Sequence, residues 1–226
     1  MSATHESRNI FIEGPAGRLE AIFWKPVATR EPAVAAGKPA LAAVVCHPHP
    51  LFGGTMHNKV IYQVAKTLDA LGVPVLRFNF RGTGLSEGHH DRGRGERGDV
   101  TAAIDFVAGE FPGTPVLVAG FSFGSVVGLR VGCEDERVIE LVGLGVPVND
   151  SDFSFLAECG KPKLFVHGEK DEHGAVGKVK ELVESLPGEN RLVVVAGAEH
   201  FFAGKLDEVD RAIREWVVGR HAELSG

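Results

Sequence analysis

The fold of this chain is decided by residues 120–124, GFSFG, which stand directly behind the apolar run VLVA of residues 116–119. A strand-like run before the central Ser122 and a helix-like segment after it, residues 125–132, are typical of a nucleophile elbow. In such an elbow the turn is so sharp that only small residues fit two positions before and two positions after the serine. The pattern predicts that the Ser122 hydroxyl stands clear of the backbone at the carboxyl edge of a sheet.

A serine hydroxyl is a weak nucleophile until a base removes its proton. Where an elbow carries the serine, the acid and then the histidine follow it along the chain. Four histidines follow the elbow: His167, His173, His200 and His221. His167 closes a predicted strand, where a packing role fits it better, and His221 lies in a charged tail, where we expect it in solvent. His200 lies on a loop after the strand-like residues 191–195, where catalytic groups of open α/β sheets collect, so we predict it as the base.

The acid that orients this base is predicted to be Asp171, in the loop after the strand-like residues 163–167. It would hold one tautomer of the imidazole and stabilise the imidazolium that forms during the reaction. The carboxylates that flank it fit plain surface charge: Glu169 and Glu172. Two carboxylates that follow the preceding predicted strand are alternatives, because hydrolases sometimes carry the acid there: Asp150 and Asp152.

Motifs along nearly the whole chain resemble those of the α/β-hydrolase superfamily. Besides the elbow, residues 167–171 (HGEKD) are similar to the family's acid loop, and residues 197–202 (GAEHFF) to its histidine loop. Residues 79–86 (NFRGTGLS) resemble the turn after its fourth strand. Residues 47–56 (HPHPLFGGTM) resemble a small bacterial subgroup of serine esterases without a large lid, loosely akin to dienelactone hydrolases and acyl-peptidases. The resemblance implies an α/β-hydrolase fold and a catalytic triad of Ser122, Asp171 and His200.

Acyl transfer also needs two preorganised donors that face the developing oxyanion. One is predicted to be the backbone N–H of Phe123, which follows the nucleophile and begins a helix. The other is expected from residues 47–54, where the prolines have no N–H, and three candidates are left: His49, Leu51 and Phe52. We favour Leu51, because it is the first donor after the second proline and precedes a pair of glycines.

Phenylalanines gather in the predicted catalytic loops and indicate an apolar pocket for the acyl or leaving group. Three of them are assigned to that pocket: Phe52, Phe121 and Phe201. Residues 147–162 leave room for little more than a turn or two, so we expect no large cap. Apolar residues in that connection either line the pocket or anchor the loop: Phe153, Phe155 and Leu156. An open site of this kind favours small esters as substrates.

Composition narrows the classes of partner. The net charge of −6 argues against nucleic acid and anionic membranes as partners. No apolar run approaches the length of a membrane span, and we see no signal peptide at the first residues. Three scattered cysteines fit reduced thiols and predict a cytoplasmic protein: Cys46, Cys133 and Cys159. His47 and His49 have the spacing of metal ligands, but no carboxylate or cysteine accompanies them in the loop, so we predict no metal site.

Strand and helix signals alternate as a mostly parallel, doubly wound sheet requires, and we predict one α/β domain over residues 1–226. Residues 9–12 and 19–24 predict an antiparallel hairpin at one edge. Residues 29–39, rich in alanine and proline, are predicted to be a surface connection. Nucleotide binding at residues 82–84 is disfavoured, because that run lacks the third glycine of a dinucleotide motif and the lysine of a P-loop.

The predicted activity is hydrolysis of small, soluble carboxylic esters through an acyl-enzyme, without a cofactor. A fold does not fix a substrate, so amides, thioesters and lactones are alternatives. A non-catalytic, hydrolase-like binding protein is a further alternative, although such proteins usually lack a triad member and all three candidates are present. The sequence leaves open whether the chain forms a homodimer.

Overall fold

A computed structural model describes residues 5–26 and 38–224 of the chain. Its strands are β1 His5–Gly14, β2 Gly17–Pro26, β3 Ala42–Cys46, β4 Val75–Phe78, β5 Val116–Phe121, β6 Val138–Leu144, β7 Lys163–Gly168 and β8 Asn190–Val195. Its α-helices are α1 Lys59–Ala70, α2 Gly95–Glu110, α3 Phe123–Glu134, α4 Val176–Ser185 and α5 Leu206–Arg220. Most of the predicted surface connection, residues 29–37, lies outside the described residues.

The strands form one sheet in the order β1-β2-β4-β3-β5-β6-β7-β8. Strands β1 and β2 make an antiparallel hairpin, β2 pairs antiparallel with β4, and the remaining neighbours are parallel. The predicted fold class is thereby confirmed, including the hairpin at one edge of the sheet.

The central strands are apolar along their whole length because helices cover both faces of the sheet. In β5, Val116 and Val118 join the core that contains residues of α2, α3 and α4. Leu117 and Ala119 join the core that contains residues of α1 and α5. Successive side chains of a strand point to opposite faces, so one continuous apolar run serves both cores.

The carboxyl ends of the parallel strands share one edge of the sheet, and the loops that follow β3, β5, β7 and β8 carry the predicted catalytic residues. Catalytic sites of open α/β sheets are found at this edge. In the connection from β6 to β7 the structure has a short 3-10 helix, Ser154–Glu158, which is too small to be a cap. Within the described residues, no helix combines the length and the apolar character needed to cross a membrane.

His221 is buried, which corrects the prediction that it lies in solvent. Its Nε2 makes a very short contact with Oε1 of Glu140, and Trp216 Nε1 donates to Oε2 of the same carboxylate at 3.0 Å. Glu140 precedes His221 by 81 residues, so no local pattern in the sequence predicts the contact.

Candidate active site

The elbow after β5 has a strained backbone. Ser122 has a φ of 54° and a ψ of −120°, which residues other than glycine rarely adopt. A Cβ atom on Gly120 would lie 2.2 Å from the carbonyl oxygen of Gly124, and one on Gly124 would lie 2.2 Å from that of Cys46. Both glycines are therefore required where strand, elbow and helix meet, and the packing that requires them holds Ser122 in place at the start of α3.

Asp171 and His200 are joined by a hydrogen bond of 2.8 Å between Oδ2 and Nδ1. Both residues are nearly removed from solvent, with exposed fractions of 6% and 2%. Burial raises the pKa of Asp171, but the hydrogen bond and charge of His200, with smaller contributions from His167 and His173, lower it below its ordinary value. Because the ionised carboxylate of Asp171 can only accept a hydrogen bond, Nδ1 of His200 must carry the proton. The other ring nitrogen, Nε2, is then unprotonated and can accept a proton.

The ring of His200 is positioned by close packing. It lies over Phe121, with ring centroids 4.9 Å apart, and His173 meets it edge-on at 4.5 Å. A Cβ atom on Gly145 would lie 3.2 Å from Cε1 and Nδ1 of His200. Phe121 is fully buried and is not among the residues that line the cleft, so it supports the imidazole from below instead of lining the predicted pocket.

His173 and Gly145 are the positions around this imidazole that the sequence did not predict. The backbone N–H of His173 donates to Oδ1 of Asp171 at 2.9 Å, which fixes the second oxygen of the carboxylate. Its place two residues after Asp171 is the one signal that the sequence offers. His167 contributes from the interior, where its Nε2 donates to the carbonyl oxygen of Gly174 at 2.6 Å and burial lowers its pKa, in keeping with its predicted packing role.

The alternative acids lie on the cleft without contacting His200. Oδ2 of Asp150 is 3.3 Å from Nδ1 of His173, and the side chains of both residues are substantially exposed. Asp152 accepts two hydrogen bonds within its own loop, each of 2.8 Å. Among the described residues, Asp171 is the carboxylate that hydrogen-bonds to His200.

His47 braces the loop that follows β3. Its Nε2 accepts the backbone N–H of Phe80 at 3.0 Å, so its Nδ1 carries the proton and donates to the carbonyl oxygen of Pro48 at 2.6 Å. Burial is the main reason that the pKa of this imidazole is lowered to about 4. Both ring nitrogens are engaged, so this neutral histidine serves the loop and is not available as a metal ligand.

In the same loop, the N–H groups of the three candidate oxyanion donors differ in their partners. The N–H of Leu51 donates to Nδ1 of His49 at 3.2 Å, and the N–H of Phe52 donates to the carbonyl oxygen of His49 at 3.1 Å. Leu51 is also 69% exposed and does not line the cleft that contains Ser122. The N–H of His49 has no acceptor within the described part of the chain, and His49 does line the cleft. His49 is therefore better placed than Leu51.

Ser122, Phe123 and His200 line a cleft of about 990 Å³. Two of the predicted pocket residues, Phe52 and Phe201, also line it and are 86% and 54% exposed. The apolar residues of the β6–β7 connection belong to the core or pack against it, and so anchor that loop: Phe153, Phe155 and Leu156. The cleft is thus an open groove with two aromatic rings at its surface.

A family model and two solved structures that are similar to this chain are all of hydrolases. A protein-family model described as serine aminopeptidase, S33, matches residues 38–150. An uncharacterised protein of Rickettsia prowazekii is 35% identical over 218 residues, which cover 92% of this chain and 88% of that protein. A solved α/β serine hydrolase homologue from Coxiella burnetii has a TM-score of 0.84 and 35% identity, covering 93% of this chain and 97% of its own. A solved serine hydrolase without a lid, from Xanthomonas campestris, has a TM-score of 0.84 and 33% identity, and the match covers 95% of this chain and 94% of that chain.

The eight-stranded sheet, the strained serine elbow and these relatives together indicate that the chain is a hydrolase. The chain belongs to the α/β-hydrolase superfamily and is similar to its members without a lid.

Proposed function

We propose that this hydrolase cleaves small carboxylic esters through an acyl-enzyme, with Ser122 as the nucleophile, His200 as the general base and Asp171 as the residue that orients the base. The observation that carries the proposal is the 2.8 Å hydrogen bond between Asp171 and His200, on a cleft that Ser122 also lines. Nucleophilic catalysis by serine requires this combination of base and orienting acid.

In the first half of the reaction, Nε2 of His200 takes the hydroxyl proton of Ser122 while the oxygen attacks the ester carbonyl. The buried carboxylate of Asp171 stabilises the imidazolium that results. The imidazolium then gives its proton to the departing alcohol, and the acyl group stays on the serine. In the second half, His200 takes a proton from water as that water attacks the acyl carbonyl. The imidazolium then returns the proton to the oxygen of Ser122 as the bond to the acyl group breaks, which releases the acid and restores the serine.

The developing oxyanion is proposed to lie between two backbone N–H groups. One belongs to Phe123, the first residue of α3, whose N–H has no acceptor within the helix. The other belongs to His49, on the loop that α3 approaches closely: a Cβ atom on Gly124 would lie 2.6 Å from the carbonyl oxygen of His47. The partial positive charge at the start of the helix favours the same site.

His49→Pro is expected to lower kcat by roughly 10²–10³ relative to His49→Ala, the usual cost of losing one oxyanion donor. His49 has a φ of −57° and a ψ of 120°, which a proline adopts without strain. Both variants lose the imidazole, so the main difference between them is the backbone N–H, which proline replaces with its ring carbon Cδ. Equal kcat values for the two folded variants, measured on one activated ester, would place the second donor elsewhere.

The open cleft predicts a preference for short acyl chains. Each methylene adds about 0.8 kcal/mol to binding only while it is buried. The exposed rings of Phe52 and Phe201 bound a short groove, with no cap to extend it. We expect kcat/KM for nitrophenyl esters to peak at acyl chains of roughly two to six carbons, where that gain ends. A maximum at long chains, or activation by an oil–water interface, would contradict this prediction.

The class of substrate is tested by comparing esters, thioesters, lactones and peptide amides on the purified protein. Amides are included because the matching family model is described as a serine aminopeptidase. We expect the highest kcat/KM on esters and a burst of product equal to the enzyme concentration when acylation outpaces deacylation. Amide cleavage faster than ester cleavage would move the proposal to that alternative.

A further inference from the structure

Three arginines line the cleft beside Ser122 and take no part in the proposed mechanism: Arg92, Arg97 and Arg130, together termed the arginine wall. Arg92 lies in the loop before α2, Arg97 lies at the start of α2, and Arg130 lies in the middle of α3. Within residues 5–26 and 38–224, none of the three forms an ion pair with a carboxylate, whereas their neighbour Arg94 pairs with Asp91 at 3.2 Å. The wall therefore presents positive charge to whatever occupies the cleft.

Arg130 is held in place by an aromatic ring. Its guanidinium carbon lies 4.1 Å from the ring centroid of Phe155, and the residue is half-buried. Stacking of this kind covers one face of the guanidinium and leaves the N–H groups at its edge available. That edge is the part of arginine that binds a carboxylate through two parallel hydrogen bonds.

Arg92 is presented by a loop in a strained conformation. Its φ is 53°, in the left-handed region where residues other than glycine are rare. The buried carboxylate of Glu96 accepts the N–H groups of Asp91 at 2.7 Å and Gly93 at 2.8 Å, and so fixes the backbone on both sides of Arg92. Residues held in such conformations cluster at active sites and ligand clamps, where the surrounding structure fixes them.

Two carboxylates also line the cleft, and both have other partners. Asp150 is 3.3 Å from the His173 ring, and Asp152 accepts the N–H and hydroxyl of Ser154. The pKa of Asp152 is lowered, first by those two hydrogen bonds and to a smaller extent by the charge of Arg130. Because three arginines and these two carboxylates line the cleft, it keeps an excess of positive charge.

We propose that the arginine wall binds a carboxylate of the substrate, so that the natural esters are those of an anionic compound. Arg130 lies eight residues beyond Ser122, which corresponds to about 12 Å along the axis of α3. A helical side chain leans back toward the N-terminus, and Val126, one helical turn before Arg130, lines the cleft together with Arg130 and Ser122. A carboxylate several bonds away from the ester carbonyl spans this distance. The inference rests on the proposed ester hydrolysis.

Two matched pairs of esters test the inference and locate the charge. Mono-4-nitrophenyl adipate against 4-nitrophenyl hexanoate places the carboxylate in the acyl half. 4-(Butanoyloxy)benzoate against 4-(butanoyloxy)benzamide places it in the leaving group. In one of the two pairs we expect kcat/KM to favour the anionic ester by at least about tenfold, the contribution of one charge-assisted hydrogen bond. The preference should weaken as salt is added, because exposed charges are screened.

Arg130→Gln should reduce this ratio of kcat/KM values by about tenfold. Arg94→Gln is the matched control, because Arg94 belongs to the same basic region but does not line the cleft, and we expect it to leave the ratio unchanged. Neutral esters preferred in both pairs, or the same ratio in the two variants, would overturn the inference.

Failure of the inference and failure of the proposed function are distinguishable. If the neutral esters are cleaved by the wild type but no charge preference is found, ester hydrolysis stands and the carboxylate site is rejected. If no ester is cleaved, the proposed function fails, and calorimetric titration with adipate then decides the site. Weaker adipate binding by Arg130→Gln than by Arg94→Gln would then retain a carboxylate-binding site without ester hydrolysis, and equal binding in the two variants would reject the site as well.

Discussion

Ser122→Ala is expected to lower kcat for ester hydrolysis by on the order of 10⁶, the loss that a comparable serine hydrolase shows without its nucleophile. No acyl-enzyme can form on alanine, so the variant retains only the effects of substrate binding and of the oxyanion donors. We expect the melting temperature to be nearly unchanged, because the hydroxyl stands on the cleft and packs little. Steady-state kinetics and a thermal melt measure the two quantities.

Ser151→Ala is the control for this variant. Ser151 lines the same cleft and undergoes the same chemical change, but it lies on the connection after β6 and not at the elbow. Its kcat should remain close to that of the wild type. Near-normal turnover by Ser122→Ala would reject the serine mechanism, and equal losses in both variants would show that the cleft as a whole had been disturbed.

Asp171→Asn is expected to lower kcat by on the order of 10⁴ while the protein stays folded. The asparagine amide can donate a hydrogen to Nδ1 of His200, which moves the imidazole proton to Nε2 and removes the base from Ser122. The buried position makes the effect large, because no water replaces the lost charge beside the imidazolium.

The matched control is Asp150→Asn, the same substitution on the alternative acid. Asp150 contacts the exposed ring of His173 and is hydrogen-bonded to no atom of His200, so we expect a change in kcat of less than about threefold, within the range of a weak surface ion pair. The reverse ranking of the two variants would assign the orienting role to the carboxylate after β6. Comparable melting temperatures are needed for either result to bear on catalysis.

The lowered pKa of Asp171 affects the pH dependence of the folded state as well as that of hydrolysis. A carboxyl whose pKa is lower in the folded state stabilises the fold above the pKa it has when unfolded, and the contribution is lost as the pH falls through the folded value. Protonated Asp171 also no longer stabilises the imidazolium of His200. We therefore expect both kcat and the melting temperature to fall as the pH is lowered into the acid range, and the control Asp150→Asn to show the same fall.

The local sequence was sufficient for the fold class, the elbow and the order of the candidate triad along the chain. Glycines two residues before and after Ser122 have a steric cause that is visible in the motif itself, since the tight turn excludes a Cβ atom at both positions. The continuous apolar runs of the parallel strands follow from burial on both faces of the sheet, which any window of the sequence records. The proximity of His200 and Asp171 could be predicted because loops after parallel strands meet at one edge.

Tertiary structure decided which of several equivalent groups face one another. Leu51 satisfies the sequence criterion for a donor, but its N–H donates to the ring of His49. Of the three candidates, His49 is the one whose N–H has no acceptor among the residues that the structure describes. Phe121 lies beneath His200 because it is the last residue of β5 and points into the core, and His221 is buried by a partner 81 residues earlier. The arginine wall likewise joins α2 and α3, which the chain separates by β5. Hydrogen bonds, burial and electrostatic interactions depend on atoms that are close in space. Residues from distant parts of the chain come that close only when the sheet and its helices pack together.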